Sequence, residues 1–414
     1  MKKVLIYVLI LFFCIQHSSI VTAESSYDVK AAIIKNDDLW IKTKDKETRI
    51  TKGKYVRFPK WSFDGTWIAY IRGSSKDQFT LRSGELWLYS VKTMRHFKVD
   101  TYVMTNFQWA PNQNSIGFQT DKGLNIIDVR SLNQPHTIAP GIIDFSWLPD
   151  GSGILTSSKA GKSVFSDIVL NKIFFYHNKN QYKPHHFYTI PVGKDENFYG
   201  TSKFKWSHDQ RWIAFQLVPT ASLSADSNTL SVLSDDGRNF RKLNEMLNYE
   251  DWFQWAPSFN NLGYIKGSNR VAIENKGLNV AEIDKKITIK YTPRGYVDRD
   301  LIWQNDHFIF VSRSLKSKWV DVEQRPMPSL YKINIKTKHT KKITSPSSKE
   351  GDFYPQYINK ENQLIWIRTN REKANVWIAD PNGLNQKIWI ENINLGTWYY
   401  EHWNWEEVFS LFQP

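Results

Sequence analysis

Few stretches of this sequence gather residues that could do chemistry together. His177, His185 and His186 fall within ten positions, a density at which histidines can share a metal ion. His185 and His186 are adjacent, however, so on a strand they point to opposite faces, and no carboxylate lies among them. No metal site is expected there. The same segment, 176–188, carries Tyr182, His185, His186 and Tyr188, rings with polar edges that suit contact with sugars or peptides. A second segment, 319–328, is shaped by Pro326 and Pro328 and presents Trp319 and Arg325, residue types that anchor interfaces. Asp321 and Glu323 lie beside them and share a face if the chain is extended. Acid–base catalysis also needs geometry and tuned pKa values, which spacing alone does not supply. The expected binding residues are therefore Tyr182, His185, His186, Tyr188, Trp319 and Arg325. No catalytic residue, metal or cofactor is expected. There is no glycine-rich phosphate loop, His-Glu-x-x-His motif or EF-hand loop.

The elements that must position these segments announce themselves as a repeat. Pro59-Lys60-Trp61-Ser62-Phe63-Asp64-Gly65-Thr66-Trp67-Ile68-Ala69-Tyr70 returns as Phe204-Lys205-Trp206-Ser207-His208-Asp209-Gln210-Arg211-Trp212-Ile213-Ala214-Phe215. Shorter copies surround Trp109, Trp147 and Trp255, and weaker ones Trp303 and Tyr357. The anchors recur at intervals of 38 to 59 residues, the length of a four-stranded propeller blade. Each copy reads as a strand, a tight turn at Asp64-Gly65 or Asp150-Gly151, and an unbroken apolar strand such as Trp67–Ile71. Such a strand is buried on both faces. Ala31–Ile34, Leu39–Lys42 and Thr48–Thr51 supply strands with no motif before them, and Tyr399–Trp405 resembles a motif strand with little behind it. The fold is therefore expected to be all-β: a single propeller of four-stranded blades closed by strands from both termini. Eight blades are expected, or seven if one weak copy is not a blade. Lysines of the outer strands, at 285, 286, 290, 336, 338, 341 and 342, read chiefly as protection of exposed sheet edges.

The Trp-Ser-x-Asp-Gly-x-x-Ile-Ala-Tyr pattern resembles the TolB-type propeller repeat, a relative of WD repeats, and the resemblance covers nearly all of the chain after the leader. It implies an exported scaffold that binds proteins or envelope components, and it carries over no catalytic residue. The separate N-terminal domain of TolB has no counterpart here. The Asp box of sialidases needs a residue between Asp and Gly, whereas Asp64 and Gly65 are adjacent. Prolyl-oligopeptidase-type enzymes add a hydrolase domain with a Gly-x-Ser-x-Gly elbow, and neither is found.

Lys2 and Lys3, the apolar run Val4–Ile15 and the small residues before Glu24 form the three-part layout of a secretory leader cleaved after Ala23. Residues 1–23 are then the leader and 24–414 one propeller domain. Cys14, the one cysteine, would leave with the leader, so disulfides and thiol chemistry are not expected. The formal net charge is +14 and falls by two on losing Lys2 and Lys3. That favours an anionic cell-wall or envelope polymer, or peripheral contact with a membrane, over nucleic acid. The expected protein is a secreted, monomeric, non-catalytic binding scaffold for a protein or envelope ligand. The competing reading is an enzyme acting on envelope glycan or peptide in the propeller funnel. Carboxylates or histidines converging at the channel mouth would favour the second.

Overall fold

The computed structural model describes residues 29–73, 83–132, 135–175, 182–193 and 196–413. The leader, Cys14 and His177 lie outside them. Among the described residues the chain forms eight antiparallel blades of four strands, arranged as a ring: an eight-bladed β-propeller. Blade 1 combines the N-terminal strands Lys30–Lys35, Asp38–Thr43 and Lys46–Arg49 with the C-terminal strand Phe409–Phe412. Blades 2 to 8 follow in order at 56–104, 107–139, 142–190, 198–246, 253–290, 296–342 and 351–393, each running from an inner to an outer strand. The inner strand of blade 5 is broken into Phe198–Thr201 and Lys205–Trp206.

The repeat motif builds the first turn of a blade. Ser62 N–H donates to the Trp67 carbonyl, so Phe63 to Thr66 form a four-residue loop rather than the two-residue turn expected from Asp-Gly. Asp64 Oδ1 accepts from Ser62 Oγ at 2.8 Å, Thr66 N at 2.9 Å and Thr66 Oγ1 at 2.7 Å, while Ser62 Oγ accepts from Trp67 N at 3.0 Å. Asp64 is thus a side-chain cap. Gly65 alone takes positive φ, 68°, and a Cβ there would meet the Phe412 ring at 2.7 Å. Asp209 repeats the cap, with Gln210 at φ 61° in the glycine's place.

The motif tryptophans tie neighbouring blades together. Trp109 Nε1 donates to the Lys60 carbonyl at 3.0 Å, Trp147 to Gln108 at 3.0 Å, Trp255 to Lys205 at 2.8 Å and Trp303 to Gln254 at 3.1 Å. In each pair the acceptor precedes the previous blade's own tryptophan by one residue. Trp61 does the same across the seam, donating to the Ser410 carbonyl at 3.1 Å.

Closure by both termini holds, but through a later strand than expected. Phe409–Phe412 pairs with Lys30–Ile33. The Trp398–Trp403 stretch instead forms a two-stranded hairpin, with Tyr400 and Glu401 at φ 46° and 69°. Two successive left-handed residues reverse the chain, so these aromatics cannot extend a ladder. Phe409 is fully enclosed, and its truncation alone would cost about 3–5 kcal/mol. Deleting residues 409–414 is expected to lower the melting temperature by roughly 10 °C or more, followed by near-UV circular dichroism. A melt unchanged from the full chain would refute closure through this strand.

Candidate functional site

Two cavities of about 560 and 530 Å³ lie on opposite sides of the ring centre and share the lining residues Lys60, Lys203, Glu250 and Glu406. They are the two halves of the central channel. The first lies on the side of the motif turns, with Trp61, Phe63, Trp109 and Phe412. The second lies where one blade's outer strand passes to the next blade's inner strand.

The lysines at the waist come from the motif itself. Lys60 Nζ donates to the Phe107 carbonyl at 3.0 Å and sits 4.5 Å from the Phe107 ring centre. Lys205 Nζ likewise donates to the Phe253 carbonyl at 3.0 Å and to the Glu250 carbonyl. Lys203, in the break of blade 5's inner strand, pairs with Glu250 at 2.6 Å. The carboxylates come from an inner strand and from segments entering others: Asp144 lies within Ile142–Trp147, at a register shift. Asp144 Oδ1 accepts from Asn106 Nδ2 at 2.6 Å and from Phe145 N at 2.7 Å. Glu250 and Asp251 belong to a single 3₁₀ turn ahead of blade 6, and Glu406 to one ahead of the closing strand. Among the described residues the Asp251 and Glu406 carboxylates have no hydrogen-bonding side-chain partner and line the cavity.

This enclosure drives the carboxyl groups apart. Burial, with Glu250 adding, pushes Asp144 up to about 8 against the opposing Lys203. Burial, helped by Asp300 and Glu406, raises Asp251 well above the usual range. Burial works on Glu250 in the same direction, but Lys203, Lys205 and Lys60 outweigh it and hold the group below its ordinary value. Burial and the neighbouring Lys203 bring Lys60 down to about 8. The mouth thus holds two carboxyls kept neutral near pH 7, Asp144 and Asp251, beside one kept ionised, Glu250.

Part of this mouth is covered by the segment between blade 8 and the closing strand. It is fixed to blade 1 where Asn394 N–H donates to the Ile34 carbonyl, and it crosses as the hairpin. Glu401, fully buried, takes Arg325 at 3.2 Å and Arg371 at 3.3 Å, while Arg299 donates to its carbonyl at 2.8 Å. His402 stacks on Tyr249, 3.6 Å between centres, and burial together with Arg299 lowers it to about 3, so the ring is neutral. Beneath it, Asp300 accepts from Trp252 Nε1 at 2.8 Å and from Tyr354 N at 2.9 Å. Phe58, Asp300 and Tyr354 share a position: each is a left-handed non-glycine residue, φ 56°, 44° and 52°, at a register shift of an inner strand. Bulges of this kind re-aim side chains and cluster beside active sites.

The segments singled out from sequence fall in two places. Trp319 and Arg325 support the hairpin: the guanidinium lies 3.5 Å from the Trp319 ring centre, and Trp319 stacks on Trp398 and packs at a tilt against Tyr400. Asp321 and Glu323 are exposed around the Val322–Gln324 turn. Tyr182, His185, His186 and Tyr188 lie on or before the outer strand of blade 4, away from the channel. His185 packs on Phe174, His186 bonds Thr189 at 2.9 Å, Tyr182 meets Phe175 and Tyr188 meets Phe240. The structure does not bring the two groups together. Sequence reading missed the channel set. The available signal was charge at Lys60 and Lys205, where other copies carry Gln108, Ser146, Gln254, Ile302 and Gln356 before the anchor.

No protein-family profile and no curated protein matches this chain. Solved structures do. Dihydro-heme d1 dehydrogenase NirN, in complex with DHE, superposes with a TM-score of 0.58 at 12% identity, covering 88% of this chain and 73% of that one. A puromycin hydrolase mutant complexed with PGG gives 0.52 at 9%, covering 83% and 54%, so this chain spans about half its length. TolB from Acinetobacter baumannii gives 0.39 at 14%, covering 64% of each chain. The shared feature is the propeller. The TolB-type repeat read from the sequence is accordingly a propeller repeat, and TolB structures are among those similar to it. The expectation that the chain is not an enzyme is corrected. A dehydrogenase and a hydrolase are built on similar propellers, so the missing hydrolase elbow excludes only one way of being an enzyme.

Two measurements follow. Replacing Glu401 with Ala strands Arg325 and Arg371 and is expected to cost about 3–5 kcal/mol in urea denaturation, with Glu401→Gln costing less. Asp144, near 8 when folded and about 3.9 when unfolded, binds more protons in the folded state between those values. Its contribution to stability therefore falls as pH rises through that window. Asp144→Asn should gain in melting temperature on the native protein between pH 5 and 9, and a constant difference would contradict the assignment.

Proposed function

We propose that the protein is an exported propeller that binds a short cell-envelope glycan in the uncovered half of its channel. The observation that carries this reading is the convergence of Asp144, Lys203, Glu250, Asp251 and Glu406 from four segments of the chain on one cavity of about 530 Å³. Cavities of roughly 300–1,000 Å³ hold small ligands. The Asp251 and Glu406 carboxyl groups, with the Lys203–Glu250 ion pair beside them, suit the hydroxyls and charged substituents of a sugar chain. Tyr199 and Tyr399 line the same cavity and are exposed, offering rings for pyranose stacking. Export is supported by the leader pattern of residues 1–23.

A second reading is favoured by the opposite shifts of Asp144 and Glu250. A protonated carboxylic acid beside an ionised carboxylate is the pair that glycoside hydrolysis requires. Asp144 would protonate the leaving oxygen, and Glu250 would activate water or attack the sugar.

Both readings meet one experiment. Soluble wall-glycan fragments are titrated calorimetrically and then assayed for new reducing ends. Glu250→Gln with Lys203→Met should weaken binding about tenfold or more, given the charged hydrogen bonds removed. Fragments that bind neither protein, or both equally, would defeat the channel reading. Turnover that vanishes in Asp144→Asn while binding remains would establish the hydrolytic reading, and binding without turnover would remove it.

A further inference from the structure

A groove of about 1060 Å³ lies on the flank of the ring, between the outer strand of blade 5 (Phe240–Met246), blade 6 and the start of blade 7. Its lining is strongly basic. Three of its cations are occupied within the protein. Lys242 pairs with Glu196. Arg241 donates to the Ile283 carbonyl at 2.7 Å and lies over Trp212. Lys276 Nζ, almost wholly buried, is held by the carbonyls of Ser268, Asn269 and Val271 and by Asn275 Oδ1. The other four, Lys266, Lys290, Arg294 and Lys316, are exposed and have no ion-pair or side-chain hydrogen-bond partner among the described residues. Glu274 is the one carboxylate of the described lining, and it accepts from Asn269 at 2.8 Å.

Edge protection does not account for these four. Only Lys290 lies on an outer strand. Lys266 ends the second strand of blade 6, Arg294 sits in the passage to blade 7, and Lys316 follows the second strand of blade 7. Four separate parts of the chain thus bring uncompensated positive charge to one concavity. We propose that this groove is the docking site for a linear polyanion bearing regularly spaced phosphate groups. The cavity is far larger than one phosphate, and four unpaired cations from four parts of the chain line it, which fits a polymer better than a single ion. A bilayer fits less well: Tyr296 is the one exposed large apolar side chain of the described lining, so almost nothing is available to insert between lipids. The site is separate from the channel, and a polymer held on the flank leaves the mouth free.

The full chain is titrated with long-chain inorganic polyphosphate at about 0.15 M salt, with orthophosphate and phosphatidylglycerol vesicles as comparators. A groove variant carries Lys266→Ser, Lys290→Ser, Arg294→Ser and Lys316→Ser. A control of equal charge loss carries Lys336→Ser, Lys338→Ser, Lys341→Ser and Lys342→Ser on blade 7. Both are first shown to melt cooperatively. The groove variant should bind polyphosphate about thirtyfold or more weakly, with a salt slope lower by about three to four, one unit for each lost contact. The control should change by less than about threefold, and millimolar orthophosphate should not compete. Equal loss in both variants would reduce the effect to net charge and overturn the proposal. So would undiminished polyphosphate binding by the groove variant. Vesicle binding as tight as polyphosphate binding, and lost in the groove variant, would assign the groove to a membrane instead.

Discussion

The hydrogen bond that five motif indoles, those of Trp61, Trp109, Trp147, Trp255 and Trp303, donate to an inner-strand carbonyl of the previous blade sets the geometry on which the rest depends. A propeller blade packs through apolar side chains, which fix distance well and phase poorly. The indole bond adds direction. With Trp109 fixed to the Lys60 carbonyl and Trp255 to the Lys205 carbonyl, neighbouring inner strands cannot slide past one another without breaking a bond at about 3 Å in a part-buried site. The residue that offers the carbonyl is also the one whose side chain reaches the next blade at the channel wall. Lys60 and Lys205 each span the seam twice, once through the carbonyl and once through Nζ. The staple and the lining of the waist are therefore one construction.

That coupling explains which parts were legible in the sequence. Trp61, Trp206 and the Ser-x-Asp-Gly turns recur because the same packing and capping problem recurs in every blade, so the ring, the blade count and the split first blade could be read from spacing. The channel groups could not. Asp144 and Lys203 each stand three residues before an anchor, and Glu250 and Asp251 just ahead of an inner strand, where the residue type changes from copy to copy because the lining has little reason to repeat. The C-terminal aromatics were misassigned for a related reason. Trp398, Trp403 and Trp405 resemble motif anchors in type, yet the pair Tyr400 and Glu401 in left-handed conformation makes a hairpin that a count of aromatics does not reveal. Trp319 and Arg325 do form an interface, but with the chain's own hairpin.

The hairpin also explains how a ring of eight blades supports a small site. A channel this wide would otherwise stay open on both faces. The segment from Asn394 to Val408 covers the mouth beside blades 6, 7 and 8, and buried Glu401, gripped by Arg325 and Arg371, fixes it there. Burying a carboxylate this deeply is tolerated only because both oxygens meet guanidinium groups. The remaining half of the mouth faces blades 2 to 5, where Asp144 and Lys203 stand.

Within that half, Asp144 and Glu250 share a cavity and differ in one neighbour. Lys203 lies 2.6 Å from Glu250 and pays its desolvation directly, whereas Asp144 has Asn106 and a backbone amide, which stabilise a carboxylate less than an ammonium group does. Once Glu250 is ionised, its charge adds to the burial that keeps Asp144 protonated. A single ion pair thus gives the two carboxyl groups opposite protonation states. Its lysine lies in the break of blade 5's inner strand, at the one blade where a strand interruption rather than a bulge brings a charge to the channel. The irregularity of blade 5 and the asymmetry of the site are, on this argument, the same feature.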